Sequence, residues 1–175
     1  MMASPSVLRM PWLFACIMLS IKMNQAIERT MYVNKKAELF KQYLDERQID
    51  AFLIDDNSHD ELDTAIFRSH IEIHGNELPT IVVLDASMYG MIRVLVVPNA
   101  IHDDNETAVL KLINTYNKQF KSFKYYIDDD GDLMMDVCML WRDNQVDGDM
   151  IYAMFNVIVE HLNESYQEIM KTIWQ

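Results

Sequence analysis

Asp128-Asp129-Asp130-Gly131-Asp132 is the cluster in this chain that most resembles a cation site. A calcium loop takes its ligands at alternate positions, with Gly sixth and a bidentate Glu twelfth. With Gly131 placed sixth, Tyr126 falls first and Val137 twelfth, so the register fails. A tight hairpin turn needs the same Asp and Gly residues without a metal. His70 and His74 would be neighbours on a helix. On a strand they stand ~13 Å apart, too far to share an ion whose bonds are ~2 Å long. His59, beside Asp60 and Glu61, has no second ligand cluster, and His102 and His161 read as incidental. Cys138 lies between Asp136 and Leu140 and has no basic neighbour to stabilise a thiolate, so it reads as a buried structural cysteine. The chain contains no glycine-rich phosphate loop, nucleophile elbow or HExxH motif. No catalytic, cofactor or metal residue is assigned.

The elements around these residues follow from periodicity. Asn34 to Gln48 reads as a helix capped by Asn34, with Ala37, Phe40 and Leu44 on its inner face. Ile49 to Ile54 is a short apolar stretch, and Asp55 to Asp63 a polar loop. In Ala65 to His74, Phe67, Ile71 and Ile73 face one way while Arg68, His70, Glu72 and His74 face the other, as in a half-buried strand. Thr80 to Leu84 is apolar on both faces, which predicts a central strand. Met91 to Val97 completes a three-strand meander that Pro98 ends. Asp103 to Phe120 is a second helix, with Asp103 and Glu106 spaced as a capping box and Val109, Leu112, Ile113, Tyr116 and Phe120 as its apolar face.

Phe123 to Trp141 alternates on both sides of the acidic turn. A two-residue Asp130-Gly131 loop would set Ile127 opposite Met134, on the wrong face. A three-residue Asp129-Asp130-Gly131 loop sets Ile127 opposite Leu133, which predicts a type I turn with Gly131 left-handed in a bulge. Asp149 to Trp174 is a long helix with Ile151, Phe155, Ile158, Leu162, Ile169 and Ile173 as its buried stripe. At ~1.5 Å per residue it reaches roughly 39 Å, more than a small sheet needs.

The chain has 175 residues, half of them hydrophobic, enough for one domain with its own core. Its formal charge of −12 disfavours nucleic acid and anionic membranes and leaves basic proteins as electrostatically compatible partners. Residues 1–30 carry Arg9, Lys22 and Arg29 against Glu28, a net of +2, so the remainder carries −14. The apolar run Met10 to Ile21 is too short to span a bilayer and has no small-x-small cleavage site after it. Residues 1–30 therefore read as an extension or a mis-assigned start, with a signal-like segment as the alternative, and 31–175 as the domain. Cys16 and Cys138 stand in different contexts and are not paired. The methionines, fourteen in all, suit either core filling or adaptable surfaces; Met134, Met150 and Met154 fall off the main buried stripes.

The order helix, three strands, helix, hairpin, long helix resembles the YbjN family of small bacterial proteins, whose fold is similar to that of type III secretion chaperones. Lys111-Leu-Ile-Asn-Thr-Tyr-Asn117 resembles its second helix, Phe123-Lys-Tyr-Tyr-Ile-Asp-Asp-Asp-Gly-Asp-Leu133 its hairpin, and Met150 to Val159 its closing helix. The likeness covers about Asn34 to Trp174 and is strongest after Asp103. It implies a role as a sensory transduction regulator and transfers no catalytic residue. By the chaperone likeness it also implies dimers that hold extended client segments.

The expectation is thus an α+β domain of order α-β-β-β-α-β-β-α, in which an antiparallel sheet is flanked by helices. Its function is expected to be non-catalytic protein interaction, chaperone-like or regulatory, in the cytoplasm, as a homodimer with a protein or peptide partner and without nucleic acid or stable membrane insertion. Tyr126, Met134, Leu140, Tyr166 and Trp174 are the apolar residues expected on exposed faces. The alternatives are a metal-dependent hydrolase using Asp128–Asp132, and an acidic mimic that occupies a basic protein's nucleic-acid site.

Overall fold

Asn34 starts the first helix as expected. Its Oδ1 accepts from the Ala37 amide at 3.1 Å, and its Nδ2 donates to the carbonyls of Asp63 and Leu84 at 2.9 and 2.6 Å. One side chain thus caps the helix and fastens it to the loop at Asp63 and to the strand end at Leu84. The computed structural model describes residues 34–56, 60–142 and 145–174. The expectations for residues 1–30, including Cys16, and for His59 lie outside the described residues.

Helix α1 (Lys35–Glu46) buries Phe40 and Leu44. The strands are β1 (Leu53–Asp56), β2 (Ala65–Ile73), β3 (Asn76–Leu84) and β4 (Tyr89–Val97). Helix α2 (Glu106–Gln119), strands β5 (Lys124–Ile127) and β6 (Leu133–Leu140), and helix α3 (Gly148–Trp174) complete the order. All six strands join one antiparallel sheet in the order β1-β2-β3-β4-β6-β5. The architecture is the expected α+β, with one strand more. β1 falls across the expected apolar stretch Ile49 to Ile54 and the expected polar loop from Asp55, because four residues ending in Asp55-Asp56 carry little alternation. It pairs along β2, with Leu53 opposite Arg68.

The hairpin register holds. Ile127 faces Leu133, Gly131 has φ +81°, and the Gly131 amide donates to the Asp128 carbonyl at 3.1 Å. Replacing Gly131 by Ala forces a Cβ into left-handed backbone and is expected to cost roughly 1 kcal/mol. Chemical denaturation would show this as a lower midpoint with an unchanged slope.

The core lies on one face of the sheet. Phe67, Val82, Ile92, Val137 and Met135 are buried there beneath the helices, in one cluster with Phe40, Val109, Ile158 and Leu162. Phe67 meets the Phe40 ring edge-on at 4.9 Å. α3 is long because it runs from α1 to α2. Near its start Tyr43 donates to Asp149 at 2.8 Å. At its end Ile173 gives its carbonyl to Asn105 at 2.9 Å.

That last contact corrects the expected capping box. α2 begins at Glu106 with Asn105 before it, and no side chain caps it. Asn105 instead donates to Ala100 and Ile173 and accepts from the His102 amide. It satisfies a carbonyl that the end of α3 would otherwise leave orphaned.

Candidate interaction surface

Strand residues alternate between faces, so each residue buried under the helices implies a neighbour on the opposite side. On β3 those neighbours are Ile81 and Val83, and on β4 they are Met91, Arg93 and Leu95. Cross-strand pairing aligns them: Ile81 lies opposite Arg93, Val83 opposite Met91, Met91 opposite Cys138, and Leu95 opposite Met134. Ile66 on β2 and Tyr126 on β5 extend the surface, paired with Val83 and Met134. The apolar members are half-buried, and at the margins Leu53 is 77% exposed and Leu140 63%. Among the described residues, every helix that buries strand side chains does so from the other side. A sheet face this apolar without a covering layer is uncommon in a monomer.

The central charges on this face are matched, while Glu72 and Glu77 stand opposite each other at one end of it. Arg93 grips Asp136 with two bonds, Nε to Oδ1 at 2.9 Å and Nη2 to Oδ2 at 2.8 Å. The Asp136 carboxylate makes Arg93 hold its proton more tightly than usual. The guanidinium also stands 5.6 Å from the Tyr126 ring centre. Burial, and then Asp136, push the Tyr126 phenol upward. Arg68 likewise pairs with Asp55 at 3.2 Å.

Of the five expected surface residues, Tyr126, Met134 and Leu140 come together on this face. Tyr166 does not. It is buried at 6% exposure, packed with His74 at 6.4 Å between ring centres. It falls one turn from both Leu162 and Ile169 and so belongs to the stripe that faces the sheet. Trp174 is exposed, yet it sits at the end of α3 against His102, ring centres 4.9 Å apart. Cys138 also needs correction: it is free and exposed, on the side of β6 that no helix covers among the described residues. Sequence reasoning missed Ile81, Val83, Met91 and Leu95. Their strands are apolar at both parities, a pattern that does not separate an open face from a covered one.

His161 is not incidental. It is buried, with Nε2 3.0 Å from the Tyr125 hydroxyl and 3.3 Å from Ser165 Oγ. Phe120, Phe123 and Tyr116 enclose it, ring centres 4.4 to 5.1 Å away. Burial lowers its pKa to about 4. Ser165 gives its proton to the His161 carbonyl at 2.8 Å, so this is a packed polar knot beneath a helix.

The acidic turn is occupied with its own backbone. Asp128 Oδ1 accepts from the amides of Asp130 and Asp132 at 3.1 and 2.9 Å, and Asp132 Oδ1 accepts from Asn99 at 2.7 Å. Among the described residues no three His, Cys, Asp or Glu side chains are grouped to hold a metal ion. Among the same residues no helix is long and apolar enough to cross a membrane.

Comparison with known proteins agrees with the fold. Residues 36–170 match the family model YbjN, described as "Putative bacterial sensory transduction regulator". No curated protein matches the chain.

Proposed function

This chain belongs to the YbjN family, and from that premise we propose that it is a non-catalytic, regulatory protein-interaction domain that works through the uncovered sheet face. The observation that carries the proposal is that face itself: apolar across β3, β4 and β6, with Arg93 and Asp136 paired at its centre, and, among the described residues, without a helix over it. Burying such a surface against another protein is favourable by roughly 25 cal/mol per Å² of apolar area, before the costs of association. The paired Arg93 and Asp136 can enter an interface without losing a partner, which removes much of the usual penalty for covering a charge. An exposed thiol at Cys138 suits a reducing compartment, and the cytoplasm is the location this reading adopts.

The test is affinity capture from the source cell with the intact chain and with Leu140→Glu. Leu140 is exposed, so the substitution leaves the fold intact while placing a charge on the face. Proteins held by the natural chain and released by the variant are the expected result. Identical captured sets from the two would count against the proposal.

A further inference from the structure

We propose that the uncovered face takes one amphipathic helix of another protein, laid along the strands, with lysines or arginines at the end that meets Glu72 and Glu77. The inference rests on the reading above and gives it the chemistry of its partner.

Main-chain bonding is the first argument. The amides and carbonyls of β2, β3, β4 and β6 are spent on one another within the sheet. A segment resting on the face finds no backbone partner there. A single extended peptide would leave its own peptide groups bare against apolar side chains, which is costly. A helix bonds its own backbone and needs only an apolar side to meet the sheet. β3 has nine residues, about 30 Å at ~3.3 Å per residue. About 20 helical residues match that length at ~1.5 Å each. Ile81 and Val83 on β3, Met91 and Leu95 on β4, and Met134 and Leu140 on β6 form the floor that such a helix would cover.

Charge sets its direction. At the middle of the face Arg93 holds Asp136, and at the β1 margin Arg68 holds Asp55. Lys124 shares the outward parity of Tyr126, yet its ammonium turns round the edge to the carbonyls of Asn117 and Phe120 at the end of α2. The end where β2 turns into β3 is different. Glu72 and Glu77 are exposed cross-strand neighbours there, and like charges so placed repel. Among the described residues neither is paired with a lysine or arginine, and the ring of His70 stands 3.9 Å from Glu77. The Asp128 to Asp132 turn leaves the sheet at the same end, because β3 begins where β4 ends and Val97 lies opposite Leu133. Cations for this end must come from the occupant, while the apolar floor selects against a wholly polar polycation. Basic residues at the C-terminus of a helix also suit its dipole, so the last turns of the occupant are expected over Glu72 and Glu77.

Fluorescence anisotropy with the full chain and labelled synthetic peptides tests this. The probe is a helix of about 20 residues, with leucine and alanine on one side and lysines in its last two turns. Its match carries glutamates in place of the lysines. At low salt the lysine peptide is expected to bind about tenfold more tightly than its match, or better, with the gap closing as salt rises. Glu72→Gln combined with Glu77→Gln should bring the two peptides to within about threefold of each other. Glu160→Gln, exposed on α3 across the sheet, should leave the preference unchanged. Met91→Gln should weaken both peptides about tenfold, because the helix would cover an amide without a partner. Circular dichroism establishes that each variant is folded. Equal binding of the two peptides would overturn the inference. So would a preference that survives the loss of both glutamates, or binding that Met91→Gln leaves unchanged. Absence of binding would overturn it too, including by a chain whose own copies pair through Met91 and shut both peptides out. Each of these results leaves the broader protein-binding proposal standing if Leu140→Glu still loses captured proteins, and only unchanged capture removes that proposal as well.

Discussion

Lys36→Met is expected to destabilise the domain by about 3 kcal/mol, seen as a lower urea midpoint at unchanged slope. Lys36 is a lysine in the first turn of α1, yet it is 1% exposed. Its ammonium donates to the Ser87 carbonyl at 2.7 Å and to the Tyr89 carbonyl, and stands 3.8 Å from Asp85. It thereby holds the turn between β3 and β4 against the helix. Burial lowers its pKa, and Asp85 opposes that shift. Methionine restores most of the volume but none of the donors. The two carbonyls lose their donor, while Asp85 keeps its bonds from the Ser87 amide and hydroxyl, and each buried unsatisfied group costs about 1–3 kcal/mol. A loss below about 1 kcal/mol would mean that water reaches the turn and replaces the ammonium.

The second large effect is a dependence on acidity set by His161. In the folded chain it titrates at about 4, against an ordinary value of 6.5. Above pH 6.5 neither state binds the proton, and its contribution is constant. Between 6.5 and about 4 the unfolded chain is protonated and the folded one is not, so stability falls as pH falls. The full loss is on the order of 3 kcal/mol. His161→Phe keeps the aromatic packing with Phe120 and Phe123 and removes the titration. At pH 7 it should cost about 1 kcal/mol, for the bond lost to Tyr125. At pH 4.5 it should be more stable than the natural chain. Parallel stability curves for the two proteins across that range would show that His161 is not the group responsible.

Much of the architecture was legible because it follows local rules. The face on which Ile127 and Leu133 must agree fixed the hairpin loop, and the placement of Gly131 followed. Asn34 is a capping residue at the edge of an apolar periodicity. The candidate surface was half legible. Tyr126, Met134 and Leu140 could be found by parity within the hairpin, because its inner residues were unambiguous. Ile81, Val83, Met91 and Leu95 could not. A strand apolar on both sides reads as covered on both sides, and whether a second layer exists is a tertiary fact. Tyr166 failed for a related reason: set beside the expected stripe of the last helix it reads as exposed, while packing against a neighbouring element decides its burial. His161 was passed over because a histidine on a helix stripe shows nothing of the rings that arrive from α2 and β5.

The outer strands of the sheet, β1 and β5, have four residues each. A rim so brief leaves few free amides and carbonyls for a newcomer to bind edge-on. On β1, Asp55 adds a carboxylate to that margin. Lateral growth into ribbons or fibrils, edge to edge, is therefore disfavoured at both borders, even at high concentration.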